Sequence, residues 1–244
     1  MELTGNTILI TGGTSGIGLG FAEELSNLGN KVIICGRREN RLTEISKKNH
    51  EIVTRKCDIS IEKNRIELIN RVIQNYPSLN IVINNAGIQT GQKIGNEIDL
   101  SKVHQEVETN FIAPVHICAL MINHLKSKDN AAIINISSGL AYVPLAFIPI
   151  YCATKAGIHS FTMSLRHQLK DTNIKVFEIA PPSVDTELGQ DRRTDHAQNH
   201  GGITVGEFIK DAIIALRNNE YEAAIGSAIN LKEKKEQMFP FLNK

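Results

Sequence analysis

Thr7-Ile8-Leu9-Ile10-Thr11-Gly12-Gly13-Thr14-Ser15-Gly16-Ile17-Gly18 is the stretch that decides how this chain is read. A short β-branched run enters a turn with glycine at 12, 16 and 18. A helical pattern opens directly behind it at Leu19, Phe21, Ala22, Leu25 and Leu28. Glycine supplies positive φ for a tight turn and lets the backbone approach a pyrophosphate. The following helix N-terminus offers free N–H groups and a positive dipole end to that anion. A glycine-rich segment alone is weak evidence, but its place between strand and helix is the informative context. No Gly-Lys-Ser/Thr follows, so this is not a Walker A loop. Gly12, Thr14, Ser15, Gly16, Ile17 and Gly18 are therefore the candidate phosphate cradle.

Further apolar runs recur outward from this unit. Lys31–Cys35, Glu51–Cys57, Ile81–Asn84, Ala131–Ile136 and Lys175–Ile179 read as strands, and they mostly lack alternation. Strands covered on both faces look like this. Amphipathic stretches near 16–28, 38–48, 60–75, 100–127 and 151–171 read as helices, with a weaker one at Val205–Arg217. Strand–helix alternation predicts a single-domain α/β fold over 1–244, a Rossmann-like doubly wound parallel sheet with helices on both faces.

The chain has 244 residues, 27 basic and 26 acidic, for a formal charge of +1. This balance argues against nucleic acid as a partner. No apolar run is long enough to span a membrane. The start Met-Glu-Leu-Thr-Gly lacks signal-peptide features, so a cytoplasmic location is expected. Cys35, Cys57, Cys118 and Cys152 are scattered without a Cys-x-x-Cys pair, which points to buried reduced thiols. His196 and His200 lie four apart with no third ligand in view, so no metal is expected.

The second strand ends Cys35-Gly36-Arg37-Arg38. A sheet that takes NAD usually carries Asp or Glu there for the ribose hydroxyls. Gly36 stands in that place, and the Arg37 guanidinium can hold a 2′-phosphate. The plainer reading is that Arg37 and Arg38 begin a solvated helix. NADP(H) is favoured, with NAD(H) allowed because Glu39 blunts the preference.

Tyr151 and Lys155 sit one helical turn apart and share a face. A free Tyr has a pKa of about 10, and a nearby ammonium lowers it. A three-unit drop takes roughly 4 kcal/mol of differential stabilisation. Ser137 and Ser138 follow the fifth strand, and strand C-terminal ends are where such sheets place chemistry. Asn110 lies upstream in Thr-Asn-Phe-Ile-Ala-Pro, where Pro114 offers a plainer reason for a helix kink.

Together, Thr-Gly-x-x-x-Gly-Ile-Gly, Asn84-Asn85-Ala86-Gly87, Ser138 and Tyr151-x-x-x-Lys155 resemble the short-chain dehydrogenase/reductase family. The run Pro149–Leu169 is similar to a bacterial DltE-like subgroup. The resemblance implies a catalytic tetrad of Asn110, Ser138, Tyr151 and Lys155. Tyr151 would be the general acid/base, and Lys155 would lower its pKa and hold the nicotinamide ribose. Ser138, chosen over Ser137 by family spacing, would bond the substrate oxygen. Asn110 would position a water between Lys155 and solvent. It also implies cofactor contacts from Asp58 and Ile59 at the adenine, and from Asn85, Ala86 and Gly87 at the ribose. Asp58 could equally cap a helix beginning near Ser60. Pro181, Val184 and Thr186 would meet the carboxamide end. Pro182 departs from the family's usual glycine and cannot adopt positive φ.

The apolar run Leu140–Ile150 is expected to line the substrate cleft, favouring an apolar or amphipathic carbonyl or alcohol substrate. The polar stretch at about 186–204 reads as a mobile substrate loop. Met238–Leu242 is expected to pack against its own chain. A homodimer is expected from the family, with a tetramer as the other option. The competing reading is a catalytically silent nucleotide-binding regulator, while a serine hydrolase would need a Gly-x-Ser-x-Gly elbow that is absent.

Overall fold

A computed structural model describes residues 1–91, 94, 98–189 and 202–244. The substrate-loop expectation at 186–204 falls largely on residues outside that set, as do Arg192, Arg193, His196 and His200. Among the described residues, seven strands form one parallel sheet: β1 (Thr7–Thr11), β2 (Lys31–Gly36), β3 (Ile52–Lys56), β4 (Leu79–Asn84), β5 (Ala132–Ile136), β6 (Lys175–Ala180) and β7 (Glu222–Ala224). Their order across the sheet is β3-β2-β1-β4-β5-β6-β7. The strands β1, β4 and β5 are buried along their whole length and were legible as apolar runs because both faces are covered, whereas β3 buries only Ile52 and carries Thr54, Arg55 and Lys56. The three-residue β7 was not legible; its segment reads only as apolar, too short to carry a period.

Successive residues of each strand point to opposite faces and build two cores. On one face, Ile8, Ile10, Val32 and Ile34 meet α1 (Gly16–Asn27), α2 (Glu39–Lys48) and α7 (Val205–Arg217) through Phe21, Leu42 and Phe208. On the other, Leu9, Ile33, Val82 and Ile133 meet α3 (Glu62–Asn75), α5 (Ala113–Leu125) and α6 (Pro149–Gln168) through Ile69, Ile117 and Leu165. Cys35, Cys57, Cys118 and Cys152 are all buried free thiols.

The stretch expected as one helix over 100–127 is interrupted. It contains α4 (Leu100–Val107), a π-helical turn at Glu108–Ile112, and α5. Pro114 has no N–H to return to the Asn110 carbonyl four residues earlier, so the ladder widens there.

Two expectations are corrected. None of residues 140–150 lines the main cleft. Val143 and Ile148 are instead core, and Leu140 and Leu145 pack beside Tyr151 and Cys152. At the tail, α8 (Ala228–Lys234) leads through a tight turn to α9 (Phe239–Leu242), which leaves Phe239 and Phe241 exposed. What ties this end down is polar: Asn243 accepts from Ala146 N at 2.6 Å and donates to Pro144 O at 3.0 Å. The four-residue helix is too short to bury one face, so an amide does the anchoring.

Candidate active site

The order in which strands are added reverses at β1: β2 and β3 lie on one side of it and β4 to β7 on the other, all parallel. The crevice beyond the strand ends at that point is where such sheets bind ligands. A cleft of about 630 Å³ opens there. Its walls include the glycine loop, Gly36 and Arg37, Asp58 and Ile59, Asn85 to Gly87, Ser138, Tyr151, Lys155, Pro181, Val184 and Thr186. Every sequence-predicted cofactor residue lies on it. Of the four catalytic candidates, Ser138, Tyr151 and Lys155 face it and Asn110 does not.

The glycines have steric reasons. Gly12 has φ +67°, and a Cβ there would lie 2.7 Å from Ala86 Cα. A Cβ on Gly18 would run into the Gly12 carbonyl and the Asn85 amide. The loop and the end of β4 are therefore pressed backbone to backbone. Asn85 clamps them by donating to Thr11 O at 3.0 Å and Gly12 O at 3.2 Å. Ser15 begins α1 in extended conformation, and no side chain caps the helix. Its first N–H groups remain available to an anion.

At the adenine end, the Asp58 side chain accepts from Ser60 N and Oγ at 3.0 and 2.7 Å. α3 itself begins later, at Glu62. Arg65, which is 2% exposed, fixes the next residue by donating to Ile59 O at 2.6 Å and pairing with Glu108 at 2.7 Å. Arg38 rather than Arg37 reaches the phosphate loop. It donates to Ser15 Oγ at 2.6 Å and Thr14 Oγ1 at 3.3 Å. Of the two adjacent arginines the sequence favours Arg37, which lines the cleft and, among the described residues, makes no hydrogen bond to that loop.

Tyr151 and Lys155 project from α6 and are 6% and 5% exposed. The Lys155 ammonium stands 5.7 Å from the Tyr151 ring centroid and donates to Ile136 O at 2.9 Å. Burial pulls its pKa down to about 8, and the Glu178 carboxylate works against that fall. Ser138 Oγ accepts from Leu140 N at 3.1 Å, leaving its proton to donate. Ser137 is turned toward Ile179 O at 3.5 Å. Asn110 sits behind this group on the π turn. It accepts from Ile88 N at 2.8 Å and donates to Ile88 O at 2.8 Å and Thr154 Oγ1 at 3.2 Å.

A polar row under α6 was not legible in the sequence. Asn84, Asn135, Glu178 and Glu222 are register partners across β4 to β7. Asn84 donates to Asn135 at 2.9 Å, and Asn135 to Thr162 at 2.9 Å. Glu178 is fully buried and meets His159 Nδ1 at 2.8 Å, one turn beyond Lys155. Lys232 neutralises Glu222 at 2.9 Å. His159, Glu178 and Glu222 bring ligand atoms within 4.8 Å of one another. Lys232 already balances one acid. The Glu178 hydrogen bond raises the His159 pKa, against the cost of burial, and favours imidazolium beside the other acid.

The close backbone approach, the uncapped helix start and the guanidinium-lined rim fit a dinucleotide. Comparisons agree. The short chain dehydrogenase family model matches residues 6–197. The uncharacterized oxidoreductase DltE of Bacillus subtilis (strain 168) is 45% identical over 229 residues, covering 91% of this chain and 88% of that protein. Among solved structures, a short chain dehydrogenase from Burkholderia cenocepacia J2315 in complex with NADP matches at TM-score 0.82 and 24% identity, covering 96% of this chain and 94% of that one. One from Burkholderia phymatum in complex with NAD matches at TM-score 0.88 and 18% identity, covering 100% and 97%. No helix among the described residues is long and apolar enough to cross a membrane. The chain belongs to the short-chain dehydrogenase/reductase family of oxidoreductases, on a Rossmann-like α/β fold.

Proposed function

We propose that this protein is an NADP(H)-dependent reductase that interconverts a carbonyl compound and an alcohol. The observation that carries the reading is the convergence of Ser138, Tyr151 and Lys155 on one cleft with the glycine loop. When bound, the nicotinamide supplies or accepts hydride. In reduction, the Tyr151 hydroxyl donates its proton to the substrate oxygen, and in oxidation its phenolate removes the alcohol proton. The Lys155 ammonium favours that phenolate, and the Ser138 hydroxyl donates to the oxygen where charge develops. Asn110 acts behind them by holding the main chain of Ile88, next to Gly87. A Cβ on Gly87 would come 3.7 Å from Lys155 Nζ.

Preference for NADP(H) rests on Gly36 at the acid's usual place and on Arg37 and Arg38 at the rim. The relatives bound to NADP and to NAD keep both cofactors in play.

The test is kcat/KM with NADPH and with NADH over a panel of aldehydes and ketones. Turnover with an NADPH preference of at least about tenfold supports the reading. Cofactor binding without turnover anywhere on the panel supports the silent regulator instead.

A further inference from the structure

The Glu187 carboxylate lies across the mouth of the cleft between two guanidinium groups. Arg38 Nη1 is 2.6 Å from Oε2 and Arg41 Nη2 is 3.0 Å from Oε1. The second nitrogen of Arg38 is held by Ser15 and Thr14 at the glycine loop. Glu187 follows Thr186, whose methyl would meet a Cβ built on Gly16 at 3.1 Å. Thr186, Glu187, Leu188 and Gly189 all line the cleft. One carboxylate therefore ties this strap to the opposite rim.

We propose that Glu187 is a specificity-determining residue: its carboxylate holds the anion subsite of Arg38, Arg41 and Ser15, and the 2′-phosphate of the cofactor takes that subsite by displacing it. The inference rests on the NADP(H) reading above. Two guanidinium groups against one carboxylate leave a positive charge uncompensated. A phosphate monoester, with close to two negative charges, balances both and offers three acceptor oxygens. The uncharged 2′-hydroxyl of NADH cannot replace the carboxylate. Glu39, the nearest competing acid in sequence, is engaged by Lys56 at 2.6 Å. Arg38 and Arg41 are nearly half exposed, and pairs in such settings are weak enough for an entering dianion to displace. The strap from Thr186 to Gly189 thus stays tied to the arginines with NADH and is released with NADPH.

The experiment is calorimetric titration of adenosine 2′,5′-bisphosphate and of 5′-AMP into the parent chain and Glu187→Gln. The expected result is a roughly fivefold tighter bisphosphate in the variant, with 5′-AMP within about twofold. Equal tightening of both ligands overturns the proposal, because it would reflect only bulk charge. If both chains prefer the bisphosphate by the same ratio, Glu187 is no competitor and the NADP(H) reading survives alone. If neither chain distinguishes the two ligands, the NADP(H) reading falls as well.

Discussion

The Lys155 ammonium and the Tyr151 ring occupy the same face of α6, 5.7 Å apart, with Lys155 anchored on the Ile136 carbonyl at the end of β5. Both side chains are buried, so the charge acts on the phenol with little solvent between them. A four-residue spacing becomes an electrostatic device only because the strand end fixes where the lysine points.

Tyr151→Phe removes the hydroxyl and leaves the ring. The expected outcome is a loss of kcat of at least roughly a hundredfold, the usual size of a general acid contribution. NADPH affinity, followed by fluorescence titration, should stay within about twofold. Activity near that of the parent chain would reject Tyr151 as the proton donor.

Holding Lys155 as a buried cation costs stability. Its pKa is lowered to about 8 by burial, against an ordinary value of 10.5. Between those values the unfolded chain binds more protons than the folded one, so this site's contribution to stability rises with pH. Lys155→Met removes the cost along with the activity. Its advantage in thermal stability over the parent should be largest below pH 8, at up to about 3 kcal/mol, and shrink toward pH 10.5. An advantage independent of pH would contradict the burial of a charged lysine.

Gly12→Ala places a methyl 2.7 Å from Ala86 Cα at a φ of +67°. Backbone faces backbone there, so no side chain can give way. The variant should lose about 2 kcal/mol in urea denaturation, with weaker binding of both NADPH and NADH. Unchanged stability would mean that the loop and the end of β4 separate easily.

His159 raises a different pH dependence. The Glu178 hydrogen bond lifts its pKa above 6.5, against the cost of burial, while Glu222 adds to the lift and Lys232 opposes it. The stabilisation is fully present below about pH 6.5 and is lost as pH rises through the folded value. His159→Gln leaves the buried Glu178 without its cation and should cost about 3 kcal/mol at pH 6. That cost should shrink at pH 9, and equal costs at both pH values would show that His159 is neutral throughout.

The parallel sheet, six of its strands, the glycine loop and the Tyr151–Lys155 pair were all readable along the chain. Each is local: an apolar run, a turn chemistry or a helical spacing. Four features were not. Arg38 and Glu187 are 149 positions apart and meet only across the cleft. The polar row from Asn84 to Glu222 exists only through strand register. Asn110, on the π turn, meets the main chain of Ile88 from 22 positions away in sequence. Of the apolar run after Ser138, Val143 and Ile148 enter the core while Phe147 faces solvent, since hydrophobicity alone does not separate a cleft wall from a core. The sequence by itself determined what kinds of groups the protein brings to its site, because propensity and periodicity are short-range. Tertiary structure decided which of them meet and with what charge balance, because contact and burial depend on how the sheet brings distant segments together.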